Sequence, residues 1–323
     1  MRVGMISTFP PIECGIGTYA SFLVEELRKL RNEVYIVSQI GAEGEKVYPV
    51  FNDDDLADRV FETMTKFTPD VVHIQHEYGL YGKDMGLNII PLLYKFRFAG
   101  IPMAVTLHTV YEDFSEQQAL IIDAIVRLSQ AVIVHHEFQK GSLKTNIGKE
   151  DIVHVIPHGA REVAPVPDAK RKLKLEGRQV ILISGYFRPT KGYDRIVKIF
   201  PDIVKEVPQA WLVIAGKTRL QEYRDYRNRF FQLVEDSPAK DHITVLRGQF
   251  PQKTFDIIIS AADVVPMPYL RGAQSGIMAH CLSFGKPVVA SPLQSFVDTI
   301  DQAGAGLIAE SDEEFTTAIV RIL

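Results

Sequence analysis

The chain has 323 residues, 46% hydrophobic and 24% charged, with 36 basic and 40 acidic side chains giving a formal charge of −4. One hydrophobic core stops growing at roughly 250–300 residues, so two domains are expected. The near-balanced charge gives no global electrostatic reason to expect nucleic acid or an acidic membrane as partner. Cys14 and Cys281 are the only cysteines. They exclude a disulfide framework and a structural zinc site, and they suit a reducing compartment, the cytoplasm. The N-terminus has no signal-like apolar region, and no run approaches the ~18 apolar residues of a membrane span. A soluble protein without a transmembrane segment is expected, with peripheral membrane contact left open and the oligomeric state unspecified.

Short β-branched runs alternate with helical patterns along the chain. The first series is 2–6, 33–37, 71–75, 103–107, 131–134 and 152–157; the second is 180–185, 211–216, 243–248, 263–268, 287–291 and 306–310. Near-continuous apolar strands alternating with helices predict parallel sheets covered on both faces, hence two α/β domains in tandem. The Pro-rich and then charged stretch 160–179 has the composition of an exposed connector. The domains are therefore set at 1–160 and 179–323, with a linker at 161–178. After the first strand, Tyr19, Phe22, Leu23, Leu27 and Leu30 recur at helical spacing and predict an amphipathic helix packed on the sheet through that face.

Several stretches could hold a ligand. Gly15 and Gly17 precede the first helix, where a glycine-rich turn exposes backbone N–H groups to a phosphate; the third glycine of a dinucleotide fingerprint is missing. In the second domain Arg188 and Lys191 follow a strand end, and a planar fork plus a point charge suits a diphosphate. Further on, RGAQSGIMAHCLSFGKPVVAS predicts a helix of two to three turns whose start, at Gln274, Ser275 and Gly276, offers N–H groups to an anion. Histidines gather near strand ends at His73, His76, His108, His135, His136 and His158. His73 and His76 lie three apart on a strand and point to opposite faces, so they cannot share a metal; a row of hydrogen-bonding groups along one crevice is the better reading. The Asp-x-Asp in Asn52-Asp53-Asp54-Asp55 reads as helix capping rather than as a metal site.

In order, PPIECGIGTY, HIQHEYGLYG, TLHT, VIPHG, SGYFRPTKGYDRIV, LVIAG, AADVVPMPY and SGIMAHCLSFGKPVVAS resemble the retaining glycosyltransferases of family 4 over nearly the whole chain. The resemblance implies a GT-B fold, two Rossmann-like domains with parallel sheets facing across a cleft. It implies a nucleotide diphosphate sugar donor held mainly by the second domain and a sugar or glycan acceptor held mainly by the first. By it Arg188 and Lys191 match the cations that stabilise the leaving diphosphate, and His108 matches a histidine near the transferred sugar. Gly15, Gly17, Gln274, Ser275, Gly276 and His280 fall on the donor side, and His76 and Glu77 on the acceptor side. Arg247 and Gln249 are the expected base contacts. Catalysis of this kind needs no protein nucleophile, no cofactor and no metal; it rests on positioning and charge stabilisation.

The chain departs from that pattern in two places. The family's pair of glutamates, eight positions apart, falls on Gly272 and His280, and a neutral His280 ring offers one acceptor where a carboxylate offers two oxygens. The chain also stops at AIVRIL, where family members continue with further helices, so either the C-terminus is truncated or the domains are held together differently. Both departures motivate an alternative, a non-catalytic sugar-nucleotide or glycan-binding protein on the same scaffold.

Overall fold

A computed structural model describes residues 1–52, 55–217, 223–248 and 250–323. They form two compact units, Met1–Gly159 and Ala160–Leu323.

The first unit runs β1 (Arg2–Ile6), α1 (Gly15–Lys29), β2 (Glu33–Gln39), β3 (Val47–Phe51), α2 (Leu56–Thr65), β4 (Val71–His76), α3 (Lys83–Gly86), α4 (Ile89–Phe98), β5 (Met103–Leu107), α5 (Glu116–Leu128), β6 (Ala131–Val134), α6 (Glu137–Ile147) and β7 (Val153–Val155). Its seven strands are all parallel in the order β3-β2-β1-β4-β5-β6-β7. Parallel strands covered by helices on both faces must be apolar throughout, and Val72, Ile74, Val105, Leu107, Val132 and Val134 are all buried. The order reverses between β1 and β4, and ligands of such sheets bind beyond the strand C-termini at that reversal.

Two sequence expectations change here. Strand β3 was not anticipated, because Pro49 interrupts VYPVF; it lies at the sheet edge, where a missing N–H is tolerated. Helix α1 buries Gly17, Ala20 and Val24, whereas Leu30 is exposed and Tyr19, Phe22, Leu23 and Leu27 are only half-buried. The face nearest the sheet is marked by small residues, since bulk would hold the helix away. A Cβ on Gly17 would stand 3.2 Å from the Thr8 carbonyl oxygen and 3.3 Å from the Phe9 nitrogen.

The second unit runs α7 (Ala169–Lys172), β8 (Gln179–Tyr186), α8 (Tyr193–Glu206), β9 (Ala210–Lys217), α9 (Arg224–Glu235), β10 (Ile243–Arg247), α10 (Gln252–Ala261), β11 (Val265–Met267), α11 (Gly276–Ser283), β12 (Val288–Ala290), α12 (Gln294–Ala303), β13 (Gly306–Ile308) and α13 (Asp312–Ile322). Two parallel ladders, β10-β9-β8 and β11-β12-β13, are joined by a bridge between Ile181 and Val264 and by the Leu182 N–H donating to the Val264 carbonyl at 3.0 Å. The resulting order, β10-β9-β8-β11-β12-β13, is doubly wound and reverses between β8 and β11.

The stretch 161–178, read from composition as an exposed connector, is bound into the second unit. Arg161 pairs with Asp256 at 2.6 Å, Lys170 pairs with Asp263 at 2.6 Å, and Ala169 and Leu175 are buried. Proline and charge mark an irregular edge segment here, held by ion pairs rather than left free.

Candidate functional site

In the second unit, the turn from β8 to α8 carries Arg188 and then a single 3₁₀ turn, Pro189–Lys191, closed by Gly192 in the left-handed region at φ +61°. A Cβ on Gly192 would fall 2.1 Å from the Pro268 carbonyl oxygen, so only glycine fits. The same two segments are tied by the Leu270 N–H donating to the Thr190 carbonyl at 2.9 Å. The loops leaving β8 and β11, the two strands at the reversal, are thus fixed against each other. Lys191 is held there, its Nζ 3.4 Å from the centroid of the Tyr269 ring. Burial lowers the Lys191 pKa below the usual lysine range, and the nearby Arg188 charge adds to the fall. Arg188 itself is exposed. A desolvated ammonium over an aromatic face beside an exposed guanidinium is a ready receptor for an anion.

Helix α11 starts at Gly276, as the sequence predicts, with Ser275 at its N-cap. The Ser275 side chain makes no capping bond, and the first turn holds no acid. The initial N–H groups therefore lack both intrahelical and capping partners. Beside them, the Gln274 Oε1 is buried without a hydrogen-bond partner. Gly272 lies in open geometry: a Cβ there would meet only Leu293 Cδ1 and Tyr269 Cδ2, both at 3.8 Å. His280 packs edge-on against Phe255, with ring centroids 5.0 Å apart. Its pKa is pushed down to about 4 by burial first and then by Arg161, against the opposing pull of Asp256. The ring is neutral at pH 7. Asp256 is already claimed by Arg161 and by Gln252 at 2.8 Å.

Arg247 ends β10 with its guanidinium 3.9 Å above the Phe231 ring. It lines an open depression of about 550 Å³ with Phe187, Lys217, Arg227, Asn228 and Phe231. Gln249 lies outside the described residues, as do Asp53 and Asp54. Asp55 stands at the N-cap of α2, yet its side chain makes no capping bond and pairs with Arg59 at 3.1 Å instead, which corrects the capping reading at that residue.

In the first unit, the C-terminal ends of β5 to β7 bring His108, His135 and His158 together, whereas His73, His76 and His136 lie against other partners. Tyr19, on α1, packs against His108, His135 and His158 at centroid distances of 4.9, 5.8 and 4.8 Å. His76 stands apart between Tyr78 and Tyr81, fully buried, with neither ring nitrogen bonded. Burial pushes His73 and His76 down to about 4 and lowers His108 and His135 as well. Glu77 accepts from the Tyr78 N–H at 3.1 Å and from the Thr109 hydroxyl at 2.5 Å. Gly15 is exposed at the start of α1 with no atom near its missing Cβ, and the first turn of that helix lacks an acid. Among the described residues, no three His, Cys, Asp or Glu side chains converge on one point.

Sequence reasoning missed Gln75, Tyr19 and Tyr269. Gln75 alone left a signal, sitting two residues from His73 on the same strand face.

Residues 166–323 match the family model described as "Glycosyl transferases group 1". The phosphatidyl-myo-inositol mannosyltransferase of Mycolicibacterium smegmatis is 28% identical over 173 residues, 52% of this chain and 42% of that protein. The GDP-mannose:glycolipid 4-beta-D-mannosyltransferase of Xanthomonas campestris pv. campestris is 25% identical over 232 residues, 71% of this chain and 61% of that protein. The chain thus spans less than two thirds of either relative. Anabaena HepE in complex with UDP and glucose superposes with a TM-score of 0.78 at 14% identity, covering 99% of this chain and 89% of that one. Sucrose-phosphate synthase from Thermosynechococcus elongatus gives a TM-score of 0.78 at 19% identity, covering 100% and 89%. The expected GT-B fold, two Rossmann-like parallel α/β units, is the fold shared with these structures. No helix among the described residues is long and apolar enough to cross a membrane.

Proposed function

We propose that this chain, which matches the group 1 glycosyl transferases over residues 166–323, moves a hexose from a nucleotide diphosphate sugar to a sugar or glycan acceptor with retention of configuration, in the manner of family 4. The observation that carries this reading is the pair Arg188 and Lys191 at the β8 end, on a turn tied by Gly192 and Thr190 to the loop that leads into α11. Breaking the bond between sugar and diphosphate leaves negative charge on the departing oxygen. Lys191, short of solvent, and the exposed Arg188 offset that charge, and the uncapped N–H groups of α11 add fixed dipoles. The chemistry calls for no protein nucleophile, cofactor or metal, because positioning and charge stabilisation suffice. Mannose is the first hexose to test, since GDP-mannose stands in the name of one relative and mannosyl transfer in those of both. The binding-only alternative draws no support from relatives named as transferases.

The deciding measurement is a thermal-shift series with GDP, UDP and ADP, followed by product detection by mass spectrometry across nucleotide sugars and simple acceptors. Stabilisation by at least one diphosphate, lost on Arg188→Ala and Lys191→Ala, is expected. No shift with any of them at millimolar concentration would sink the proposal.

A further inference from the structure

Helix α4 of the first unit is apolar on two sides. Its inner side buries Ile89, Leu92, Leu93 and Phe96 completely in the core. Along its outer side run Leu87, just ahead of the helix, then Pro91, Tyr94 and Phe98, and all four are exposed, Phe98 by 85%. With 3.6 residues per turn, positions spaced four, three and four apart fall within about 60° of one another, a single line down the helix. Tyr94 and Phe98 stack on each other at a centroid distance of 6.0 Å. Single exposed apolar residues are ordinary on a protein surface, but a continuous line of them with two aromatic rings marks a face that something covers.

The charges around the line narrow what that is. Between Leu87 and Gly100 the sequence holds Lys95 and Arg97 and no acid. Helical geometry sets these two cations on opposite flanks of the line. Arg97 is exposed, and Lys95 reaches sideways to Asp58 of α2 at 2.7 Å, its ammonium 5.5 Å from the Phe61 centroid. On α5, which packs against α4, Leu120 is exposed and the acid Asp123 is held by Arg127 at 2.7 Å. Two copies of this face brought together would set cation-flanked lines against each other with no acid on either helix, which disfavours a symmetric seam. An anionic lipid surface satisfies both features at once: its headgroup layer takes the tyrosine and phenylalanine rings, and its phosphates take the flanking cations.

We infer that α4 is a docking helix for an anionic lipid bilayer, with Leu87, Pro91, Tyr94 and Phe98 turned into the headgroup layer and Lys95 and Arg97 beside them on lipid phosphates. The formal charge of −4 on the whole chain gives no long-range pull toward such a membrane, so the attraction is local to this face. One short amphipathic contact of this kind is peripheral and reversible. The face is read from α4 and its neighbours alone; only its purpose, bringing a lipid-borne acceptor to the first unit, rests on the proposed function.

Flotation of the full chain with phosphatidylcholine vesicles, with and without phosphatidylglycerol, tests the face. Binding is expected where phosphatidylglycerol is present, and it should weaken as added salt screens the headgroups. Phe98→Ser and Tyr94→Ser should each lower the partition coefficient about tenfold. Arg97→Gln should lower it about fivefold. Phe98→Tyr, which keeps the ring, should retain most of the binding and guards against misreading a Phe98→Ser that folds poorly. Leu30→Ser, at a position 74% exposed beyond the end of α1, should change nothing. No binding to phosphatidylglycerol vesicles, equal binding with and without the anionic lipid, or binding that Phe98→Ser and Tyr94→Ser leave intact overturns the inference. So does a lipid-free dimer in analytical ultracentrifugation that Phe98→Ser dissolves, because the line is then a seam between copies. A protein that binds these vesicles as expected but no nucleotide keeps the docking face and loses the proposed function; one that transfers sugar but ignores the vesicles does the reverse.

Discussion

Lys191 extends its ammonium over the ring of Tyr269, 3.4 Å from the centroid, and so joins the loops that leave β8 and β11. This contact holds the cation in place where burial disfavours its charge. On the proposed function, an arriving diphosphate would supply the missing counter-charge. Each lost charge-assisted hydrogen bond costs roughly 1.5–3 kcal/mol, so Lys191→Ala should weaken GDP or UDP by about tenfold or more in calorimetry. Lys191→Arg should recover only part of that affinity, because a planar fork does not seat over the ring as a point charge does. Unchanged affinity in Lys191→Ala would remove this residue from the site.

Gly192→Ala tests the backbone that presents the cation. The added methyl would meet the Pro268 carbonyl oxygen at 2.1 Å, and φ +61° is itself unfavourable for alanine by about 1–2 kcal/mol. Chemical denaturation should show a loss of at least about 2 kcal/mol, together with weaker nucleotide binding. A variant as stable as the parent would show that the two loops separate at little cost.

Acid should destabilise the first unit in a defined window. His73 and His76 are held at about 4 in the folded protein against an ordinary 6.5, so the unfolded chain binds more protons between these values. Their contribution is complete above about pH 6.5 and is lost as pH falls toward 4, by about 3 kcal/mol for each. Melting temperatures from pH 7.5 to 4 should fall accordingly. His76→Phe, which removes two unbonded buried nitrogens, should flatten that limb; an identical slope would refute the assignment.

The two positions that align with the glutamate pair of the family 4 pattern should respond differently. Gly272→Glu should fold like the parent, since its Cβ would meet nothing closer than 3.8 Å. It should raise transfer severalfold if an acid at this position offsets positive charge on the sugar; an unchanged rate would show that the chain works without one. His280→Glu exchanges a neutral buried ring, packed on Phe255, for a carboxylate in a site whose acid, Asp256, is already paired. Denaturation should report a loss above about 1 kcal/mol.

The strands of both units were legible because buried parallel strands are written as apolar runs, and Arg188, Lys191 and the α11 start were legible as charge and small residues placed after strand ends. Strand β3 was hidden by Pro49, and the buried face of α1 by the smallness of Gly17 and Ala20. The chain from Thr106 and His73 through Gln75 to His108 was not legible, because it depends on the register of β4 against β5, which sets Gln75 beside Thr106. Single-strand periodicity carries no register information. The Lys191 contact escaped for a similar reason, since Tyr269 approaches from a segment 78 positions later in the chain.

The tie between Thr190 and Leu270, with Gly192 lodged under Pro268, has a thermodynamic consequence. A loop already fixed before ligand arrives has little conformational entropy left to lose, so binding energy is not consumed in ordering it. Diphosphate association with the second unit should then carry only a small entropic penalty from the protein and proceed without a slow rearrangement of the β8–α8 turn. The readiness of the proposed anion site is, in this sense, set during folding.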